Sequence, residues 1–285
     1  MHQITTREDL RRRVSGWKRA GELVALVPTM GNLHAGHLSL VDAAREAADR
    51  VVVSVFVNPT QFGAGEDYTT YPRTLDADRQ LLEVRGVDLL FAPDVGTMYP
   101  EGTAKGARIQ VPALEGMLCA LSRPGHFSGV ATVVAKLFNL VAPDRAYFGL
   151  KDYQQLLVIQ HMVRDLSMPV EVIGVETVRA PDGLALSSRN GYLSPDDRAR
   201  APWLNKVLAD AATALQQGER DFTALENTAS KALIQAGLEP DYVAIRRPDD
   251  LLRPGVGEHA FIVLGAARLG GTRLIDNVTV TTAAG

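Results

Sequence analysis

Between residues 23 and 175 the sequence alternates short, continuously apolar runs with segments whose apolar residues recur at helical spacing, and this alternation restricts the fold more than any other property of the chain. Strand-like runs fall at 23–27, 51–57, 87–91, 146–148 and 170–175, and helical patterns at 36–49, 74–85, 127–141 and 152–166. Runs with no polar alternation suit strands buried on both faces, which predicts a parallel sheet covered by helices above and below. Ligands of such sheets bind beyond the carboxyl ends of the strands, near a switch in strand order.

The pattern changes beyond about residue 175. Pro195 opens a long helix that carries Leu204, Val207, Leu208, Ala211, Ala212 and Leu215 and closes at Gln217-Gly218. A second helix carries Phe222, Leu225, Ala229, Leu233 and Ala236, and short strands follow at 242–245, 260–264 and 272–275. The reading is therefore an α/β parallel-sheet domain over 1–176 and a smaller C-terminal α+β domain over 177–285. The Thr/Ala/Gly tail after Val280 is expected to fray.

Composition narrows the function classes. At 285 residues the chain can bury a sizeable core, and a net charge of -3 supplies no field to recruit nucleic acid or an anionic membrane. Cys119 is the only cysteine, so no disulfide can form within the chain, as suits a reducing compartment. The charged start of the chain lacks a signal-peptide core and no run reaches the ~18 apolar residues of a membrane span. A cytoplasmic protein with no membrane or nucleic-acid partner is expected.

The chemistry concentrates first where the 23–27 run breaks at Pro28 and re-forms as a helix near Gly36. His34 and His37 fall in this turn and the first helical turn, where backbone N–H groups lack partners and the helix dipole is positive. Two imidazoles beside free amides make an anion site, and the triphosphate of ATP is the commonest anion to fit one. Gly36 would let a phosphate or an adenine approach the backbone. The plainer reading is that the two histidines cap a helix.

Two further polar motifs reach the same sheet edge: Asn58 and Gln61 follow the second strand, and 149–155 follows the strand ending at Phe148. Lys151 stands at a helix start, where side chain and amides can address one phosphate, although an isolated lysine there is usually solvated. Asp152 and Gln155 are spaced like a capping box. Ser187, Ser188 and Arg189 follow the turn Pro181-Asp182-Gly183 and can offer two hydroxyls and a guanidinium fork to phosphate oxygens, or form an ordinary polar loop. His126 reads as a helix-entry residue and His161 as structural. Gly63-Ala64-Gly65 lacks the third glycine of a dinucleotide fingerprint, and no Gly-x-x-x-x-Gly-Lys or His-Glu-x-x-His motif occurs.

The stretch Pro-Thr-Met-Gly-x-Leu-His-x-Gly-His-Leu (28–38) is similar to the opening motif of the pantothenate synthetase (pantoate–β-alanine ligase) family, within the wider cytidylyltransferase-like superfamily that carries His-x-Gly-His. Residues 56–62, 71–74, 149–155, 186–190 and 268–277 also resemble that family, in order and across most of the chain. The resemblance implies a Rossmann-like nucleotide-binding domain with a smaller lid domain, and condensation of (R)-pantoate with β-alanine to give pantothenate, AMP and diphosphate through a pantoyl adenylate. It implies that Met30, Gly31, Asn32, Leu33, His34, Ala35, Gly36 and His37 bind ATP, with Gly149, Leu150, Lys151 and Asp152. Val178 would contact adenine, and Leu186, Ser187, Ser188 and Arg189 would close over the triphosphate. Gln61 and Gln155 would hold pantoate, with Asn58 and Tyr71 completing the set for pantoate and β-alanine; Tyr71 reads equally as a plain helix-entry aromatic. His34, His37, Lys151 and Arg189 become the catalytic set, Mg²⁺ accompanies ATP without a dedicated protein cage, and a homodimer is implied.

Two departures stand out. Leu150 and Cys119 occupy positions where many members, or some, carry Glu. Leu186 replaces a frequent methionine at similar volume. Two other classes remain open on residues alone: a nucleotidyltransferase, which would keep the nucleotide in its product rather than release AMP, and a nucleotide-sensing module that releases no pyrophosphate.

Overall fold

A computed structural model describes residues 1–282; the rest of the tail expected to fray, 283–285, lies outside the described residues. The chain divides into two compact units. The first comprises 1–115, 123–150 and 155–176, and the second comprises 116–122, 151–154 and 177–285.

The first unit holds a sheet of six strands: β1 (His2–Ile4), β2 (Val24–Thr29), β3 (Arg50–Val55), β4 (Leu89–Phe91), β5 (Arg145–Gly149) and β6 (Glu171–Val175). Their order is β1-β4-β3-β2-β5-β6, every pair parallel. The order reverses at β2, which pairs with β3 on one side and β5 on the other. The fold class expected from the alternating pattern is borne out.

Two helices, α2 (Ala35–Ala47) and α3 (Leu75–Val84), pack through Leu38, Leu40, Val41, Ala44 and Leu82 on the face formed by Ala25, Val27, Val51, Val53 and Tyr147. The alternate residues Val24, Leu26 and Val52 are equally buried. Against β2 stand α1 (Arg7–Arg19) and α6 (His126–Val141), which also touch each other. Strands covered on both faces need apolar residues at every position, hence the unbroken Val-Ala-Leu-Val. Short α4 (Val95–Met98) and the helix α7 (Tyr153–Asp165) complete this part of the chain, the first two residues of α7 belonging to the second unit.

In the second unit α5 (Cys119–Ser122) and α8 (Pro195–Arg200) are short, and α9 (Trp203–Gln216) and α10 (Phe222–Gln235) lie with an antiparallel meander of β7 (Glu239–Arg246), β8 (Ala260–Leu269) and β9 (Thr272–Thr281). Its core gathers Leu204, Leu208 and Leu215 of α9 with Leu233, Phe261 and Val263. One expectation is corrected: the helix opened by Pro195 ends at Arg200, and a separate helix begins at Trp203 with Pro202 as its N-cap. Proline has no N–H to continue the first helix, but it is tolerated at the start of the next. The strands are also longer than their apolar cores, because Gly265, Ala266 and Ala267 continue β8 without β-branched residues.

Candidate active site

The turn between β2 and α2 sits where the strand order reverses. Thr29 Oγ1 donates to the Ser54 carbonyl at 2.8 Å and accepts from the Gly31 amide at 3.2 Å, pinning the exit of β2 to its neighbour. Gly31 and Asn32 then both adopt left-handed backbone, φ 81° and 51°. His34 is the N-cap of α2: its Nδ1 accepts from the Gly36 amide at 3.1 Å, and His37 Nδ1 accepts from the His34 amide at 3.4 Å. The two rings lie 4.1 Å apart, tilted 42°.

The capping reading and the anion-site reading are therefore compatible. Each neutral ring uses Nδ1 as an acceptor, which places its proton on Nε2 and makes that nitrogen a donor. The expectation of unpartnered amides fails at four positions, because those of His34 and Gly36 face imidazole nitrogens and those of Asn32 and Leu33 face the Asp78 carboxylate. The donors suited to an anion here are the Nε2–H groups.

Asn58 and Gln61 bracket a single turn of 3-10 helix (Pro59–Gln61), and both are buried. Asn58 Oδ1 accepts from the Thr60 amide at 3.3 Å and from Tyr99 Oη at 2.8 Å, while its Nδ2 donates to the Gly129 carbonyl at 3.2 Å. An amide N–H can only donate and a carbonyl can only accept, so the orientation of Asn58 is fixed. Nδ2 consequently also donates to Gln61 Oε1 at 3.1 Å, leaving Gln61 Nε2 to point at Met30 Sδ, 3.1 Å away. Gln61 thus presents donors on the side of Met30.

A second layer holds the Gln61 backbone. His126 Nδ1 donates to the Gln61 carbonyl at 2.7 Å, since its Nε2 accepts from Arg123 at 2.9 Å. Arg123 forks onto Glu66 at 2.7 and 2.6 Å. Burial pushes the Glu66 carboxyl up, but the Arg123 hydrogen bonds and charge, with the Gly63 backbone, outweigh it and hold the group at about 2. Tyr71 is buried with its ring edge-on to Phe62 at 5.9 Å. Gly149 ends β5, and Leu150 lies over Gly174, where a Cβ would stand 2.8 Å from Leu150 Cδ2. Gln155 is half-buried in the first turn of α7.

The second unit gathers its own candidates on the dipeptide Asp276-Asn277 of β9. Asn277 Nδ2 donates to the Lys151 carbonyl at 3.0 Å, and the Lys151 ammonium lies 3.4 Å from Asp152 Oδ2. Arg179 forks onto the buried Asp276 at 2.6 and 2.9 Å. That pair anchors a hairpin in which the Leu186 amide donates to the Val178 carbonyl at 3.0 Å, so the two are brought together. Ser187 Oγ caps the short turn Ser188–Tyr192 by accepting from the Arg189 amide at 3.3 Å. Cys119 is buried, with Tyr242 Oη 3.1 Å and Arg273 Nη2 3.4 Å from its sulfur. Burial and the neighbouring thiol push the Tyr242 phenol far upward.

Sequence reasoning missed Asp78, Tyr99, Gly129 and Asp276-Asn277. Asp78 and Gly129 fell inside the helical patterns 74–85 and 127–141 as ordinary helix residues, and Asp276-Asn277 lay in the family-like stretch 268–277 with no role attached to it.

A parallel sheet that places a His-x-Gly-His turn at its point of strand reversal defines an α/β nucleotide-handling protein. Comparison with known proteins is more specific. The sequence profile of the pantoate-β-alanine ligase family matches residues 2–279, and the chain belongs to that family. It is 55% identical over 280 residues to the pantothenate synthetase of Thioalkalivibrio sulfidiphilus, covering 98% of both chains, and 54% identical over 280 residues to that of Azotobacter vinelandii, covering 98% and 99%. Among solved structures, the pantothenate synthetase of Thermus thermophilus superposes with a TM-score of 0.91 at 50% identity, covering 98% of this chain and 99% of that one. A Francisella tularensis pantoate-β-alanine ligase, solved with β-γ ATP and β-alanine, gives 0.79 at 34% identity, with 98% and 97% covered.

Proposed function

We propose that this ligase joins (R)-pantoate to β-alanine with the residues assigned below, and the observation that carries the assignment is the His34–His37 pair, whose Nδ1 atoms face the backbone so that both Nε2–H groups are donors. In the first step a pantoate carboxylate oxygen attacks the α-phosphorus of ATP, the bond to the β-phosphate oxygen breaks, and diphosphate leaves. In the second the β-alanine amine, having lost a proton, attacks the acyl carbon, and AMP departs as the amide forms.

His34 and His37 stabilise the α-phosphate as it becomes five-coordinate through hydrogen bonds from their Nε2–H groups. Lys151 and Arg189 stabilise the departing diphosphate, supported by the anchoring of Lys151 and the Ser-Ser-Arg hairpin to Asp276-Asn277. Met30 to His37, Gly149 to Asp152, Val178 and Leu186 to Arg189 contact ATP. The Nε2 donor of Gln61, with Asn58, Gln155 and Tyr71, binds pantoate. Mg²⁺ would enter with ATP as its counter-ion, held mainly by phosphate oxygens.

The proposal includes a homodimer, tested by the mass in solution, and a cytoplasmic setting, supported by a lone, buried thiol. The deciding experiment is diphosphate release from ATP and pantoate with and without β-alanine. A burst stoichiometric with enzyme without β-alanine, turning over when it is added, is expected. Dependence of the first diphosphate on β-alanine would remove the adenylate from the mechanism.

A further inference from the structure

Asp78 is 1% exposed, a charged side chain in the first turn of α3 buried directly beneath the histidine turn. Its Oδ2 accepts from the Asn32 amide at 3.0 Å, and its Oδ1 accepts from the Leu33 amide at 2.8 Å and from Thr74 Oγ1 at 3.2 Å. Gly31 and Asn32, left-handed in succession, turn the backbone so that the Asn32 and Leu33 amides meet one carboxylate. The protein's own side chain thus satisfies two donors of the turn that leads into α2. A Cβ at Gly31 would lie 3.0 Å from Asp78 Oδ2 and 2.9 Å from Val55 Cγ1, so the carboxylate also requires glycine there.

A buried carboxylate is costly to desolvate, and an apolar contact could hold an ordinary turn at lower cost. What the carboxylate supplies is direction: two charge-assisted bonds to consecutive amides fix both peptide planes, and the next residue is His34. From Asp78 to the His34 cap the chain is bonded at every step, through the Leu33 amide, the His34 amide on His37 Nδ1 and the Gly36 amide on His34 Nδ1. We infer that Asp78 is a positioning residue for the first chemical step, setting the register of the Gly31–Leu33 turn so that the His34 and His37 Nε2–H donors meet the α-phosphate.

This rests on the reading of the histidine pair given above, and a double-mutant cycle separates the two. Asp78→Asn keeps volume but turns one acceptor into a donor against an amide. Diphosphate release from ATP and pantoate is expected to fall about 10- to 100-fold, the cost of a displacement of order 1 Å at reacting groups, with the KM for pantoate and for β-alanine unchanged. In a His34→Asn, His37→Ala double background, which removes both Nε2–H donors, the same change should cost almost nothing further, because Asp78 acts through those two residues. If the double background itself leaves diphosphate release normal, the histidine reading fails. If the double background is impaired while Asp78→Asn is normal, or if the two losses multiply, only the positioning role of Asp78 is overturned. Should Asp78→Asn not fold, Thr74→Val, which removes the third bond to the carboxylate, decides in its place: a smaller loss that vanishes in the double background supports the role, and a normal rate or a loss that multiplies overturns it.

Discussion

Asn58 Nδ2 lies 3.1 Å from Gln61 Oε1, and this contact decides which end of the Gln61 amide faces a ligand. Replacing the Nε2 donor by an oxygen leaves Oε1 for Asn58 and turns the ligand-facing end into a charged acceptor. Gln61→Glu is expected to raise the KM for pantoate about 10- to 100-fold, the range of one lost hydrogen bond to a charged group, and to leave the KM for ATP near its original value. Equal weakening of both substrates in initial-rate measurements would argue against a pantoate contact.

Gly129 lets two backbones approach where no side chain fits. A Cβ there would stand 2.3 Å from the Thr60 carbonyl oxygen and 2.8 Å from Gln61 Cα, and neither is a flexible chain end that can swing away. Gly129→Ala should lower stability by about 1–3 kcal/mol, as overpacking does, and weaken pantoate binding by separating α6 from the Asn58–Gln61 turn. Urea midpoints and a pantoate titration on the same variant check both; an unchanged midpoint would show that the contact relaxes freely.

Lys151→Ala removes a charge without removing an anchor. The Asn277 bond is to the Lys151 carbonyl, and the 3.4 Å ion pair with Asp152 is weak. Diphosphate release should drop about 10²-fold or more, as for loss of one donor to developing charge, while thermal unfolding stays close to that of the parent. Normal adenylate formation by rapid quench would take Lys151 out of the chemistry.

The Glu66–Arg123 fork predicts an acid limb in stability. Glu66 falls from an ordinary 4.5 to about 2 in the folded protein, so its contribution is fully present above 4.5 and is lost as pH falls from there toward 2. Because Glu66 is partly solvated, screening leaves roughly 1 kcal/mol of this at neutral pH. Urea unfolding of parent and Glu66→Gln should differ by that amount near pH 7 and converge near pH 2. A gap independent of pH would mean that the fork contributes through packing alone.

The sheet was legible because β2 and β3 are apolar at successive positions, a pattern dictated by burial on both faces. By contrast β1 has three residues, and α1 buries only Leu10 and Val14 along a face rich in Arg, so neither rises above its polar surroundings. The histidine turn and the Ser-Ser-Arg hairpin are local and were visible as motifs. Asp78 is 46 positions from Asn32 and Gly129 is 71 from Asn58, and no spacing rule joins residues that only the packing of α3 and α6 brings together. The same holds for Asp276-Asn277, which meets Lys151 across 126 positions.

His34 and His37 use their inner nitrogens to close the start of α2. An alanine scan of this pair therefore confounds two losses, an unravelled first turn and a missing outward proton. His34→Asn would keep a good cap while deleting the outward donor, and so would let the assay register the contact with the nucleotide rather than helices undone.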